Sequence, residues 1–310
     1  MISDITSVFN RKTVNIPIMA VTGGKGGTGK TSVAVNLAAA IGLKGYRVLL
    51  VDADVDSPTA AIVLGVRPQL IQQVEAFVPT IVEAECGACG KCAEACRAHA
   101  LIQIAGRKPM FFDELCSGCE ACRLACPLRA IERGSKVIGF VHRAVRDNVS
   151  YIGGELKPNE TRSAQVVAAT KDAAFSYAGR DSCDVMIVDT PPGTHCNVVH
   201  SLRAADLALA VTEPTPLGTY DLSLLLKLAS ILGIPCKVVV NRADMPGHNN
   251  DAVADVARSS KSEVIADIPV DRALFESYSA GEPLVTAHPD SPAARSITKL
   301  TELLIQQLMR

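Results

Sequence analysis

Short runs of consecutive apolar residues recur along the chain, separated by longer helical stretches. IPIMAVT at 16–22 reads as a buried strand entering a glycine loop, and TSVAVNLAAAIGL at 31–43 as the helix that follows, ended by Gly45. RVLLV at 47–51 is the next strand, with Asp52, Ala53 and Asp54 at its carboxyl end, and 57–66 predicts a short helix. After a break, 136–153 alternate as in a β-ribbon and 163–178 read helical. VMIV at 185–188 is a buried strand ending at Asp189, and 207–211, 237–240 and 264–268 are further strands with helical stretches beside them. Strands buried on both faces give continuous apolar runs, and strands alternating with helices build a mostly parallel sheet. The expected fold class is α/β, with a doubly wound, mostly parallel sheet. At the C-terminus, Ile297, Leu300, Leu304 and Leu308 have helical spacing. A helix packed on the sheet explains them better than a membrane-surface helix, because the polar face is not strongly basic.

Composition narrows the setting. The 310 residues are 48% hydrophobic with no tryptophan, enough for a packed core of small aliphatic side chains. A length of this order suggests about two domains. The net charge of −1 gives no reason to expect nucleic acid or an anionic membrane as a partner. No apolar stretch reaches membrane-spanning length. MISDITSVFNRK has no apolar run after a basic start, so the expected location is cytoplasmic.

Eight of the 11 cysteines change the picture. Cys86, Cys89, Cys92 and Cys96 form one Cys-x-x-Cys-x-x-Cys-x-x-x-Cys run, and Cys116, Cys119, Cys122 and Cys126 repeat it 30 residues on. Zinc sites also use Cys-x-x-Cys pairs, but eight ligands in this doubled order match zinc fingers poorly. A disulfide framework needs an oxidising compartment. Residues 83–135 resemble bacterial-type two-cluster ferredoxins, with Pro127 after Cys126 as in that family and Arg97 where a proline usually stands. In that family the fourth cysteine of each run ligates the other cluster. The resemblance therefore implies two 4Fe–4S clusters, one on Cys86, Cys89, Cys92 and Cys126, the other on Cys116, Cys119, Cys122 and Cys96. It also implies a small α+β ferredoxin-like domain at 83–135, inserted into a nucleotide domain formed by 1–82 and 136–310.

The second motif is GGKGGTGKTS at 23–32. Gly24, Gly29, Lys30 and Thr31 match the Walker A loop, in which backbone N–H groups cradle phosphates, the lysine reaches the β and γ phosphates, and the hydroxyl binds Mg²⁺. Lys25, Gly26, Gly27, Thr28 and Ser32 complete the expected cradle. With its second lysine, Lys25, the loop resembles the deviant Walker A of the MinD/ParA/nitrogenase-iron-protein class of P-loop ATPases. VDADVDSP and DTPPG resemble that class's two switch regions, Asn241 in VVVNRAD its adenine-contacting asparagine, and IPVD at 268–271, with Pro269, its base-side loop. The resemblance implies an ATP-dependent homodimer in which Lys25 reaches the partner's nucleotide. It also implies that Asp189 and Asp52 hold the Mg²⁺ shell and that Asp54 orients the attacking water. The bland reading of Asp52 and Asp54 is a solvated strand end or helix cap.

Three cysteines remain. Cys183 and Cys236 flank apolar strands and are expected to pack. Cys196 stands seven residues past Asp189, the offset at which the nitrogenase iron protein carries a cluster ligand, with His195 beside it. One such thiol per subunit is a poor site, and His99 and His142 have no partner pattern. The paired Cys-x-x-Cys near the C-terminus of cluster-carrier ATPases is missing, and only Cys236 falls in that stretch. Three functions follow: an ATP-gated electron-transfer protein, an ATPase that assembles or delivers metalloclusters, or a positioning ATPase with a redox-sensing insert. The first two need a redox or metallocluster client protein.

Overall fold

The computed structural model describes residues 14–247 and 249–308. Its largest element is a nine-stranded sheet in the order β11-β10-β9-β1-β8-β2-β7-β6-β3. The strands are β1 (Ile18–Thr22), β2 (Val48–Asp52), β3 (Gln69–Ile81), β6 (Ile131–Arg146), β7 (Val149–Leu156), β8 (Val185–Asp189), β9 (Leu207–Thr212), β10 (Cys236–Asn241) and β11 (Val264–Ile268). Every pairing from β11 to β7 is parallel, and β6 and β3 continue the sheet antiparallel. This is the mostly parallel α/β architecture the apolar runs predict.

The central strands are buried end to end, and alternate residues serve opposite faces. Met19 and Val21 of β1 join Leu37 and Ile41 of α1 (Lys30–Leu43) in one core. Ile18 and Ala20 join Val166 and Phe175 of α5 (Ser163–Arg180) and Val198 of α6 (Cys196–Leu202) in the other. The C-terminal helix α11 (Pro292–Leu308) buries Ile297, Leu300 and Leu304 against the α1 side, so its apolar stripe is a packing face.

Two features depart from the sequence-based expectation. β3 was not foreseen, and the ribbon begins earlier than expected. β3 and β6 pair from Gln69↔Arg143 to Ile81↔Ile131, with register shifts at Leu70/Gln72 and Val74/Glu75, so β6 crosses the expected boundary at 136. The first residues of β3 are exposed at the sheet edge, and a half-wet strand lacks the apolar run that marks a buried one.

Between β3 and β6 lie α3 (Lys91–Glu94), the paired strands β4 (Leu101–Ile102) and β5 (Met110–Phe111), and α4 (Ala121–Ala125). Phe77, Cys92, Leu101, Cys122 and Ile131 form a small core of their own. The cysteine repeat is also a backbone repeat. Ala88 and Gly118, Gly90 and Glu120, and His99 and Arg129 are three pairs in matching positions of the two runs, all with φ between 51° and 81°. Left-handed backbone costs a non-glycine residue roughly 1 kcal/mol, and successive turned N–H groups of this kind face an anionic centre.

Candidate nucleotide and cysteine sites

The carboxyl ends of the parallel strands converge at one edge of the sheet, where open α/β sheets bind ligands. β1 runs into the glycine loop, and its neighbours β8 and β9 lie on either side. α1 starts at Gly29, with no side-chain cap and no acidic residue in its first turn, so its N–H groups are left for an anion. Gly29 has φ 93°, and a Cβ there would stand 2.3 Å from Asn241 Nδ2. At Gly24 a Cβ would stand 2.5 Å from Asp221 Cβ. Both glycines are therefore required by close approach as well as by the motif. Gly26, Gly27, Thr28 and Ser32 lie in the same loop and helix start, and Asn241 Nδ2 donates to Thr28 O at 2.8 Å.

Lys30 is 6% exposed, and its ammonium donates to Lys25 O at 3.2 Å. Burial pulls its pKa down, while Asp189 and Asp54 oppose that shift. Asp189 is fully buried, and neither of its carboxylate oxygens has a hydrogen-bond partner among the described residues. Burial pushes its pKa up to about 7, opposed by the Thr31 hydroxyl and Lys30 and reinforced by Asp54. A hard divalent cation takes oxygen ligands of this kind. Two orphaned carboxylate oxygens beside the Thr31 hydroxyl and the phosphate loop therefore fit Mg²⁺. Burial, opposed by Lys30 and reinforced by Asp56, pushes Asp54 up to about 6.

Asp52 is fully buried beside Asp189 and also supports the local backbone. It accepts from Asp54 N at 3.2 Å and Ala60 N at 3.0 Å, capping the turn and the helix α2 (Ala60–Leu64). Burial raises its pKa well above the usual carboxylate range, and Asp189, its cross-strand partner, raises it further. Tyr151 is buried on β7 and was missed in the sequence; burial raises its hydroxyl far above its usual value, and the Asp52 and Asp189 carboxylates raise it further. A Cβ on Gly153 would stand 1.9 Å from that hydroxyl, so the paired glycines Gly153 and Gly154 were the available signal.

The segments after β2 and β8 are joined to each other, and the second is also joined to the loop. Ala53 N donates to Asp189 O at 2.9 Å, and Gly193 N donates to Gly23 O at 3.1 Å. Beyond Asn241, Ala243 N donates to Ile268 O at 3.0 Å and Val270 N to Asp244 Oδ1 at 2.7 Å, which brackets the half-buried Pro269.

The eight cysteines of the runs gather in crossed quartets. Cys86, Cys89, Cys92 and Cys126 line one cavity together. Burial pushes the Cys122 thiol up to about 11, and the other thiols acting on it are Cys116, Cys96 and Cys119. Cys96 Sγ accepts from Ala100 N at 3.2 Å. Among the described residues, no three His, Cys, Asp or Glu side chains group as a single metal ion requires. Cys196 is exposed at the start of α6, with His195 as its N-cap, apart from both quartets. Cys183 and Cys236 pack against the sheet, and burial pushes Cys236 up to about 12. No helix among the described residues is long and apolar enough to cross a membrane.

An uncharacterised protein of Methanocaldococcus jannaschii is 36% identical over 266 residues, covering 86% of this chain and 90% of that protein. The iron-sulfur cluster carrier protein of Pyrococcus abyssi is 26% identical, covering 94% of this chain and 86% of its own. The cell division ATPase MinD of Pyrococcus furiosus matches the fold with a TM-score of 0.62 at 22% identity, covering 94% of this chain and 99% of that one. With the family model for the CobQ/CobB/MinD/ParA nucleotide binding domain matching residues 19–284, the chain belongs to that family of P-loop proteins.

Proposed function

We propose that this protein is an ATP-hydrolysing iron–sulfur protein whose two 4Fe–4S clusters exchange electrons with a client under the control of nucleotide state. The observation that carries the cluster assignment is the crossing of the quartets: the fourth thiol of each run lies with the first three of the other. A cubane spreads its four thiolates over four iron atoms, so its ligands stand farther apart than those around one zinc. Ala100 N donates to Cys96 Sγ at 3.2 Å, and the backbone of Gly118, one of the left-handed residues, acts on Cys116, which suits an anionic cluster. When bound, each cluster supplies a one-electron store.

The chain's own residues divide the nucleotide work. Lys30 neutralises the β and γ phosphates, and the N-terminus of α1 adds its dipole. Asp189 and Thr31 would hold the magnesium ion, and Asp52 would help hold its shell while fixing the strand end behind them. Asp54 orients the attacking water. Lys25 serves the nucleotide of a second copy in an ATP-dependent homodimer, and Asn241 and Pro269 receive the adenine.

A second reading, cluster delivery, is favoured by the relatives named iron–sulfur cluster carrier proteins. In the full chain purified without oxygen, about eight iron and eight sulfide per chain are expected, as two cubanes require. Stoichiometric zinc without iron overturns the assignment. Incubation with Mg·ATP and an apo-ferredoxin acceptor separates the two readings. Clusters that stay bound support electron transfer, and clusters that leave support delivery.

A further inference from the structure

α5 is bonded both to α6 and to the cysteine insert. Near its middle, Lys171 is fully buried, and its ammonium donates to Ser201 O at 3.1 Å and Arg203 O at 3.0 Å. Those carbonyls end α6, the helix that begins just after the Asp189–Gly193 loop. Burying a lysine costs several kcal/mol unless its donors are satisfied, so this contact fixes the end of α6 against α5. Gly193 N in turn donates to Gly23 O of the phosphate loop at 3.1 Å.

The other end of α5 meets the second cysteine run. Gln165 Nε2 donates to Ser117 O at 3.0 Å, between Cys116 and Cys119. Arg162, the N-cap residue, is 7% exposed, pairs with Glu160 at 2.6 Å and stands 3.7 Å from Asp113. Its Nη1 is buried without a hydrogen-bond partner among the described residues, and its charge acts on Cys116. Among the described residues, the hydrogen bonds and ion pairs from Arg162 and α5 reach the insert only at Asp113 and Ser117. The first run receives none of them.

Building on the ATP-gated reading above, we propose that α5 transmits nucleotide state from the second switch to the second cysteine set alone, with Lys171, Gln165 and Arg162 as its positioning residues. A shift of α6 on γ-phosphate binding carries Lys171 with it, and the helix moves a cation relative to Cys116. Reduction adds negative charge, so the potential of the cluster on Cys116, Cys119, Cys122 and Cys96 follows that cation.

The test is a potentiometric titration of the anaerobic full chain, with and without a non-hydrolysable ATP analogue and Mg²⁺. It is repeated in Cys89→Ala, which keeps the second cluster, and Cys119→Ala, which keeps the first. A tenfold difference in analogue affinity between redox states corresponds to a shift of about 59 mV in a one-electron couple. That shift is expected in the wild-type and Cys89→Ala proteins and absent in Cys119→Ala. Lys171→Met, which keeps length and loses the donor, is expected to bind the analogue and keep both clusters while losing the shift. Gln165→Ala, a milder change, is expected to reduce the shift and stands in should Lys171→Met fail to fold. A shift confined to Cys119→Ala, or one undiminished in Lys171→Met and Gln165→Ala, overturns the proposal and leaves ATP gating intact. No shift in any protein overturns both.

Discussion

Lys25 and Glu213 form an ion pair at 3.0 Å within one chain. Glu213, buried at the end of β9, also holds Arg242, the residue after Asn241. The lysine expected to serve a partner's nucleotide is thus bound in its own subunit, to the carboxylate that also holds the residue following Asn241. Lys25 must leave Glu213 before it reaches across a dimer.

Glu213→Gln should therefore strengthen Mg·ATP-dependent dimerisation. An ion pair of this exposure contributes up to about 1 kcal/mol, and a two-fold dimer releases one in each subunit, so the gain is up to roughly 30-fold in the dimer dissociation constant. Lys25→Ala should bind ATP and lose the ATP-dependent dimer. Sedimentation velocity with and without Mg·ATP reads both. Equal dimer affinity in Glu213→Gln and wild type would show that the pair does not restrain Lys25.

Lys30 and Asp54 should fail in different ways. Lys30→Ala leaves the phosphate charge uncompensated and should weaken ATP binding at least 100-fold, an estimate of about 3 kcal/mol for one buried charge-assisted contact. Asp54→Ala should bind ATP near the wild-type affinity and lose hydrolysis, because the carboxylate orients water rather than phosphate. Isothermal titration and phosphate release separate the two. Wild-type turnover in Asp54→Ala would remove Asp54 from the reaction.

The central sheet was legible because its strands are buried on both faces and so read as unbroken apolar runs. The phosphate loop was legible because its glycines are dictated by local geometry. What escaped depends on contacts distant in sequence. β3 (QLIQQVEAFVPTI) mixes polar and apolar residues at an exposed edge, and only its pairing with β6 makes it a strand. Glu213 belongs to no motif, and its role comes from meeting Lys25 and Arg242 in space. Lys171 lies in an otherwise ordinary amphipathic helix, where a lysine reads as a solvated position. Its burial follows from the packing of α6 across it. Asp52, read by resemblance as part of the ion's shell, also accepts from two backbone N–H groups, contacts no motif displays.

The cysteine quartets should be separable. Cys89→Ala and Cys119→Ala should each lose about four iron per chain, half of the two-cubane content. Cys196→Ser should lose none, because Cys196 stands apart from both quartets at the start of α6. Iron and sulfide assays on anaerobic protein read this directly, and iron loss in Cys196→Ser would make that thiol a ligand.

The last prediction concerns pH. Burial pushes Asp189 up to about 7, and Asp52 beside it is also raised, while an unfolded aspartate titrates near 3.8. Between about pH 4 and pH 7 the folded, nucleotide-free protein therefore binds more protons than the unfolded chain. By linkage its stability is greatest at the acid end of that window and falls as pH rises through 7. Asp189→Asn removes the charge that causes this loss. It should stabilise the nucleotide-free protein at both pH values, by on the order of 1–3 kcal/mol more at pH 8 than at pH 5, seen as a larger gain in melting temperature at pH 8. Magnesium competes with the same proton, so in the wild type Mg²⁺ affinity in the presence of ADP should fall about tenfold from pH 8 to pH 6. Thermal melts across the pH range and Mg²⁺ titrations at both pH values test the two halves together. An equal gain from Asp189→Asn at pH 5 and pH 8 would mean that the carboxylate is ionised at both. The orphaned oxygens of Asp189 would then carry their charge without waiting for the metal.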